Sequence, residues 1–248
     1  MTMHTQSISF GRLASEAWPG LHTREVDGWL VRTAGGVTNR ANSVLAEQSP
    51  TDLEAALTEV ERHYARLGQP SVFQVGPDSR PTNLDEVLAA RGYRIVTPVH
   101  GQTAPIPTAL AALGEQTRHP VVTDHPTETW LDLHWAESGR TDPAGRFITH
   151  QILTAVPAGY ANLNDQALAR GALVRDWVGI FGMWVDPAAR GQGLARAVLA
   201  GLLHWAADRG ATHAFLQVME QNTVAQRLYA SAGFSTVSRY HYRVLDQP

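Results

Sequence analysis

Residues Val185–Ala206, VDPAARGQGLARAVLAGLLHWA, constrain the path of this chain more than any other stretch. An apolar strand runs into a Gly-rich turn, and the turn opens at once into a helix. Arg190, Gly191, Gln192, Gly193, Leu194 and Ala195 stand at the joint. Unpaired helix N–H groups and the positive end of the helix dipole meet there, which suits a pyrophosphate. The glycines let the main chain approach an anion with no Cβ in the way. A P-loop would need Gly-Lys-Ser/Thr, which is absent. A Rossmann turn would need a third glycine and an acidic residue at the end of the next strand. Asp208 has the right spacing for that acid but lies within the expected helix. A tight turn that binds nothing accounts equally well for a bare pair of glycines.

A chain of 248 residues, 44% of them apolar, can form one large domain or two small ones, with a core in either case. Its formal charge of -3 and singly spaced arginines argue against nucleic acid as a partner. The lack of cysteine removes disulfides, thiolate zinc sites and an acyl group carried on sulfur. Eleven histidines form no HxxxH or HExxH pair, so no metal is expected. The opening MTMHTQSISFGRLASEAW lacks the basic-then-apolar order of a signal peptide. No stretch approaches the roughly 18 apolar residues of a membrane span. A cytoplasmic protein with no membrane partner, monomeric or homodimeric, is expected.

Periodicity and turn residues divide the chain into α/β units. Gly28–Ala46 suggests two short strands and a hairpin at Gly35–Gly36. Ser49, Pro50 and Glu54 signal a helix with Leu53, Leu57, Val60 and Tyr64 on its apolar face. A strand at Ser71–Val75, a helix at Leu84–Ala90 and a strand at Tyr93–Val99 follow. The second half reads as a strand within Arg118–Thr123, helices at Glu128–Glu137 and Ala144–Leu153, and strands at Gly159–Leu163, Ala172–Val174 and Trp177–Val185. A helix at Ala195–Asp208, a strand at His213–Met219, a helix at Thr223–Ala232 and one or two strands within Phe234–Val244 complete it.

The order repeats in the letters. FQVGPDSRPTNLDEVLAARGYRIV at Phe73–Val96 parallels LQVMEQNTVAQRLYASAGFSTV at Leu216–Val237. Each reads strand, polar turn, short helix, Gly-aromatic, strand. Where the second copy has its Gly-rich turn, the first has Ser49-Pro50-Thr51. Two similar halves with the anion site kept only in the second are expected, joined by a linker at Gly101–Pro120. Chance likeness between two strand–helix–strand units is the alternative.

Three segments together resemble the GNAT superfamily of acyl-CoA-dependent N-acyltransferases. RGQGLA at Arg190–Ala195 matches the Arg-x-x-Gly-x-Gly/Ala loop, Asn222 matches the Asn after the following strand, and LYASAGF at Leu228–Phe234 matches Leu-Tyr-x-x-x-Gly-Phe. The likeness spans about Arg118–Val244. It implies α/β architecture with two GNAT-like modules, each a mixed sheet flanked by helices: residues 1–116 degenerate or partial, with the linker, and residues 117–248 catalytic. Val87-Leu88 replaces Leu228-Tyr229 in the first copy, which therefore lacks the family's tyrosine.

The resemblance also implies roles. Acetyl-CoA is the cosubstrate, held by Arg190–Ala195. Met183, Trp184 and Val185 form the bulged end of a strand splayed from its neighbour, whose freed backbone groups pair with the pantetheine arm. The Val185 N–H stabilises the oxyanion. Tyr229 assists the leaving thiolate, although packing on the apolar face of its helix also explains a tyrosine there. Asn222 lies near the cofactor, and capping alone explains it too. The implied activity is direct acetyl transfer to a primary amine of a small molecule or amino acid. A protein N-terminus or lysine is the second choice, and a non-catalytic acyl-CoA-binding module the rival. The family's strand carboxylate is missing from WVGIFGMWV. Asp176 stands at the far end of that strand, and Glu128, Asp132, Glu137 and Glu220 are the remaining candidates for a base, each also readable as a solvated surface carboxylate.

Overall fold

In a computed structural model, residues 9–139 and 141–246 are described. In chain order they form α1 (Phe10–Ala17), β1 (His22–Val26), β2 (Trp29–Thr33), β3 (Val44–Leu45), α2 (Leu53–Arg66), β4 (Ser71–Val75), α3 (Leu84–Ala90), β5 (Arg94–Pro105), α4 (Ile106–Leu113) and β6 (Val121–Thr123). Then come α5 (Glu128–Ser138), α6 (Pro143–Thr154), β7 (Ala158–Leu163), β8 (Ala167–Val174), β9 (Trp177–Val185), α7 (Leu194–Ala207), β10 (His213–Met219), α8 (Thr223–Ser231) and β11 (Ser235–Leu245). Two compact units result. One comprises residues up to Pro98 together with those from Ser238 onward, the other Val99–Val237.

In the first unit the strands follow the order β1-β2-β3-β4 and then the C-terminal part of β11. Only β3 and β4 run parallel. The hairpin expected at Gly35–Gly36 turns instead at Asp27–Gly28, where φ is 45° and 83°. Val26 pairs with Trp29 across it, leaving the two-residue turn with positive φ that matches strand twist. Gly35–Gly36 belongs to a loop in which the Asn42 side chain accepts from the Ala34 and Gly36 N–H groups. Helix α2 starts later than Ser49 suggests. Asp52 is its cap, accepting from the Ala55 N–H at 3.0 Å. The Asp27 carboxylate accepts from the Thr51 N–H at 2.5 Å. Trp29, Phe73 and Tyr93 meet edge to face at the centre of this unit's core.

The second unit holds the sheet β5-β10-β9-β8-β7-β6, in its case with β5 from Val99 onward. All neighbours are antiparallel except β10 and β9. The stretch expected as a linker is largely regular. Strand β5 continues to Pro105, and α4 buries Ile106, Ala109 and Leu113. Pro105 and Pro107 read as breaks but sit at the cap and first turn of α4, where a missing N–H costs nothing. Helices α5 and α7 cover opposite faces. A Cβ on Gly159 would lie 2.7 Å from Trp205 of α7, whereas the next residue, Tyr160, meets Trp130 of α5 edge to face with ring centres 5.3 Å apart. Successive residues of a strand point to opposite faces.

Candidate active site

Strands β9 and β10 pair from Trp177–His213 as far as Ile180–Leu216, and the ladder stops there. Beyond that point β9 follows β8 alone. Trp184 pairs with Leu168 and Phe181 with Arg170, so Gly182 and Met183 stand opposite the single residue Ala169. This is a bulge, and Gly182 takes φ 60° in it. The extra residue bends β9 away from β10 and opens a fork. The Asp186 N–H donates to the Gln166 carbonyl at 2.8 Å, which makes Val185–Ala167 a pair with no hydrogen bonds between its own members. By the alternation of antiparallel pairs, the main chain of Val185 points away from β8, toward the side where β10 has ceased to pair. Met183, Trp184 and Val185 are half-buried along this edge.

The turn after β9 is built to leave donors uncovered. Asp186 accepts from the Ala188 N–H at 2.8 Å and starts a single 3₁₀ turn over Pro187–Ala189. Arg190 is extended and exposed, its Nε 3.4 Å from the Val185 carbonyl. Gly191 and Gly193 have φ of 77° and 79°. Gly193 is the N-cap of α7, and among the described residues the helix start receives no side-chain cap hydrogen bond. Among the described residues, a Cβ on either glycine would meet no atom within 4 Å, so it is backbone conformation and access, not crowding, that favour glycine here. Gln192 is exposed, Leu194 is buried in the core and Ala195 is half-buried. An exposed cationic side chain, an uncapped helix start and open space are what a pyrophosphate needs.

Helix α8 carries Tyr229 and begins at Asn222. The Asn222 side chain accepts from the Ala225 N–H at 3.1 Å, so it does cap the helix. Tyr229 is 6% exposed and packs against Phe234 at 5.9 Å between ring centres. Burial pushes its hydroxyl pKa up to about 12, which keeps it protonated and able to donate. Among the described residues that hydroxyl has no hydrogen-bond partner.

The carboxylates considered as bases are scattered. Asp176 precedes β9, roughly 30 Å of strand from Val185, and accepts from the Thr212 hydroxyl at 3.1 Å. Glu128 and Asp132 are exposed on α5. Glu137 is also solvent-accessible, yet the surrounding fold desolvates its carboxyl enough to raise its pKa. Exposed Glu220 lies 3.7 Å from His100 Nε2.

His134 is the residue that sequence reasoning passed over. It lies one helical turn after Trp130, so the two share the buried face of α5. The rings stack at 5.2 Å and 22°, and Trp135 lies 5.3 Å away on a tilt. A Cβ on Gly182 would stand 3.8 Å from both Cε1 and Nδ1 of this imidazole. His134 therefore lies against the β9 bulge, on the face opposite α7. It is 7% exposed, and its Nδ1 has no hydrogen-bond partner among the described residues. Burial, and then the Arg170 cation, lower its pKa to about 4. The signal in the sequence is the Trp130–His134 spacing, which a hydropathy pattern does not register.

Among the described residues, no group of three or more His, Asp or Glu side chains is placed to hold a metal ion. No helix among them is long and apolar enough to cross a membrane.

A family model described as "Probable histone acetyltransferase Rv0428c C-terminal" matches residues 9–243. The chain belongs to this family and is a GNAT-superfamily acetyltransferase, of the class that moves acetyl groups from acetyl-CoA to amines. It is 29% identical over 239 residues to the "Uncharacterized N-acetyltransferase YobR" of Bacillus subtilis, covering 94% of this chain and 96% of that one. It is 28% identical over 241 residues to "Probable histone acetyltransferase Rv0428c" of Mycobacterium tuberculosis, covering 94% and 71%. The solved structure of a GCN5-related N-acetyltransferase from Kribbella flavida has a similar fold, with a TM-score of 0.67 at 16% identity over 96% of both chains.

Proposed function

We propose that the chain acetylates the primary amine of a small molecule or amino acid by direct attack, with acetyl-CoA bound in the β9–β10 fork. The observation that carries this reading is the fork itself, opening beside a helix start with no side-chain cap. Arg190, Gly191, Gln192, Gly193, Leu194 and Ala195 would hold the pyrophosphate. The main chain of Met183, Trp184 and Val185 would pair with the pantetheine amides as an added strand would. Asn222 would line the cofactor as well as cap α8. The bound acetyl-CoA supplies an activated acyl group. The Val185 N–H is aimed to stabilise charge on the acyl oxygen, and the Tyr229 hydroxyl donates toward the departing sulfur. Without cysteine the chain has no thiol to carry the acyl group.

The first half, residues 1–116, is read as a degenerate copy that takes no cofactor. At the start of α2, Asp27 and Asp52 already receive the N–H groups of Thr51 and Ala55. Carboxylates at that place repel a phosphate. A protein lysine or N-terminus is the second reading of the acceptor, favoured by the name of the Mycobacterium tuberculosis relative. Calorimetry with acetyl-CoA, followed by mass detection of products from a panel of small amines and lysine peptides, tests both. One site per chain and acetylated small amines are expected. Two equivalent sites would overturn the degenerate-copy reading, products confined to peptides would favour the second acceptor, and binding with no transfer to any amine would mark a regulatory module.

A further inference from the structure

We propose that His134 is the general base of this site, taking the proton from the acceptor amine at the β9 bulge in place of the carboxylate that β9 lacks. This rests on the acetyl-transfer reading above. Three features of geometry point to it. The imidazole lies against Gly182, at the bulge that opens the fork. Its Nδ1 is buried with no partner among the described residues, and buried polar atoms are otherwise almost always hydrogen-bonded. The ring is also held still, stacked on Trp130 with Trp135 beside it. Trp130 is in turn fixed by its Nε1 donating to the Ala161 carbonyl at 3.1 Å and by its edge-to-face contact with Tyr160. Burial and the Arg170 cation keep it neutral, and in the tautomer protonated on Nε2 the Nδ1 lone pair is free to accept.

The amine nitrogen forms a bond to the acetyl carbonyl carbon, and its proton passes to His134 Nδ1. The carbon–sulfur bond breaks and its electron pair leaves on sulfur. The sulfur takes a proton through Tyr229, which is restored through solvent by the proton His134 releases. An amide and free coenzyme A are the products.

The test uses the full chain, acetyl-CoA and small primary amines of graded basicity, from methoxyamine to methylamine, with His134→Gln and His134→Phe as variants. Both variants are expected to bind acetyl-CoA like the parent in calorimetry. Single-turnover transfer should fall about 10²-fold or more. Across the amine series the variants' rates should rise more steeply with basicity, because no base relieves the charge building on nitrogen. A merely structural role would lower rates without changing that slope. Variants that keep the parent's rate and slope overturn the proposal. A parent that binds acetyl-CoA yet accelerates none of these amines overturns the acetyl-transfer reading and this proposal with it. Should both variants unfold, the parent decides. With ¹⁵N-labelled histidine and a non-hydrolysable ketone analogue of acetyl-CoA bound, the His134 nitrogen resonance should move on adding methylamine, and an unmoved resonance overturns the assignment.

Discussion

Replacing Gly193 by Asn and by Asp separates the backbone from the charge at the turn before α7. Gly193 sits at φ 79° and ψ 4°, a conformation that costs an ordinary L-residue about 1–2 kcal/mol and Asn or Asp less. Among the described residues nothing lies within 4 Å of the added Cβ, so neither variant clashes, and their near-equal shapes cancel the backbone cost in a comparison. What remains is one negative charge. Beside an uncapped helix start it should stabilise the folded Asp variant by about 0.3–1 kcal/mol over Asn. Beside a bound pyrophosphate it does the opposite. At about 5 Å and an effective dielectric of about 20–80, repulsion between two unit charges is about 1–3 kcal/mol. Acetyl-CoA affinity of the Asp variant should thus be about 5- to 150-fold weaker than that of Asn. Urea unfolding and calorimetry read the two effects, and raising salt should shrink both. Equal acetyl-CoA affinity in the two folded variants would refute the anion role of this turn.

Three further outcomes are expected. Tyr229→Phe should lower single-turnover acetyl transfer about 10²–10⁴-fold with little loss of stability, since the hydroxyl has no protein partner among the described residues; a parent-like rate would leave Tyr229 a packing residue. Asn222→Ala should cost about 1 kcal/mol of stability through the lost cap and also weaken acetyl-CoA binding, and unchanged affinity would confine Asn222 to capping. His134 binds fewer protons folded than unfolded, its pKa being about 4 against an ordinary 6.5. Its contribution to stability is therefore complete above the ordinary histidine range and is lost as pH falls toward 4, by up to about 1.4 kcal/mol per pH unit. Urea titrations of parent and His134→Phe should show a shallower acid decline in the variant, and identical slopes would contradict the shifted pKa.

The span of β9, the strand β10 and the positions of α5 and α8 were legible in the letters, because each rests on periodicity, a cap or a turn residue within a few positions. The same reasoning misplaced the first hairpin. Gly35–Gly36 and Asp27–Gly28 are both capable of a tight turn, and only the pairing of Val26 with Trp29 chooses between them. The stretch after Gly101 reads as a linker in the letters, since prolines at the start of α4 look the same in sequence as prolines that break a helix.

The sequence by itself determined the strand, glycine turn and helix around Gly193, the cap at Asn222 and the placing of Tyr229 on a short helix, and with them the superfamily. Those are local matters, settled by backbone conformations that few residue types adopt. Only the tertiary structure decided where β9 leaves β10, that two residues of β9 face one of β8, and that His134 comes to rest on Gly182. A bulge is a count of residues against a partner strand, and the place of a buried side chain depends on what packs beneath it. Neither quantity exists until segments distant in sequence have met.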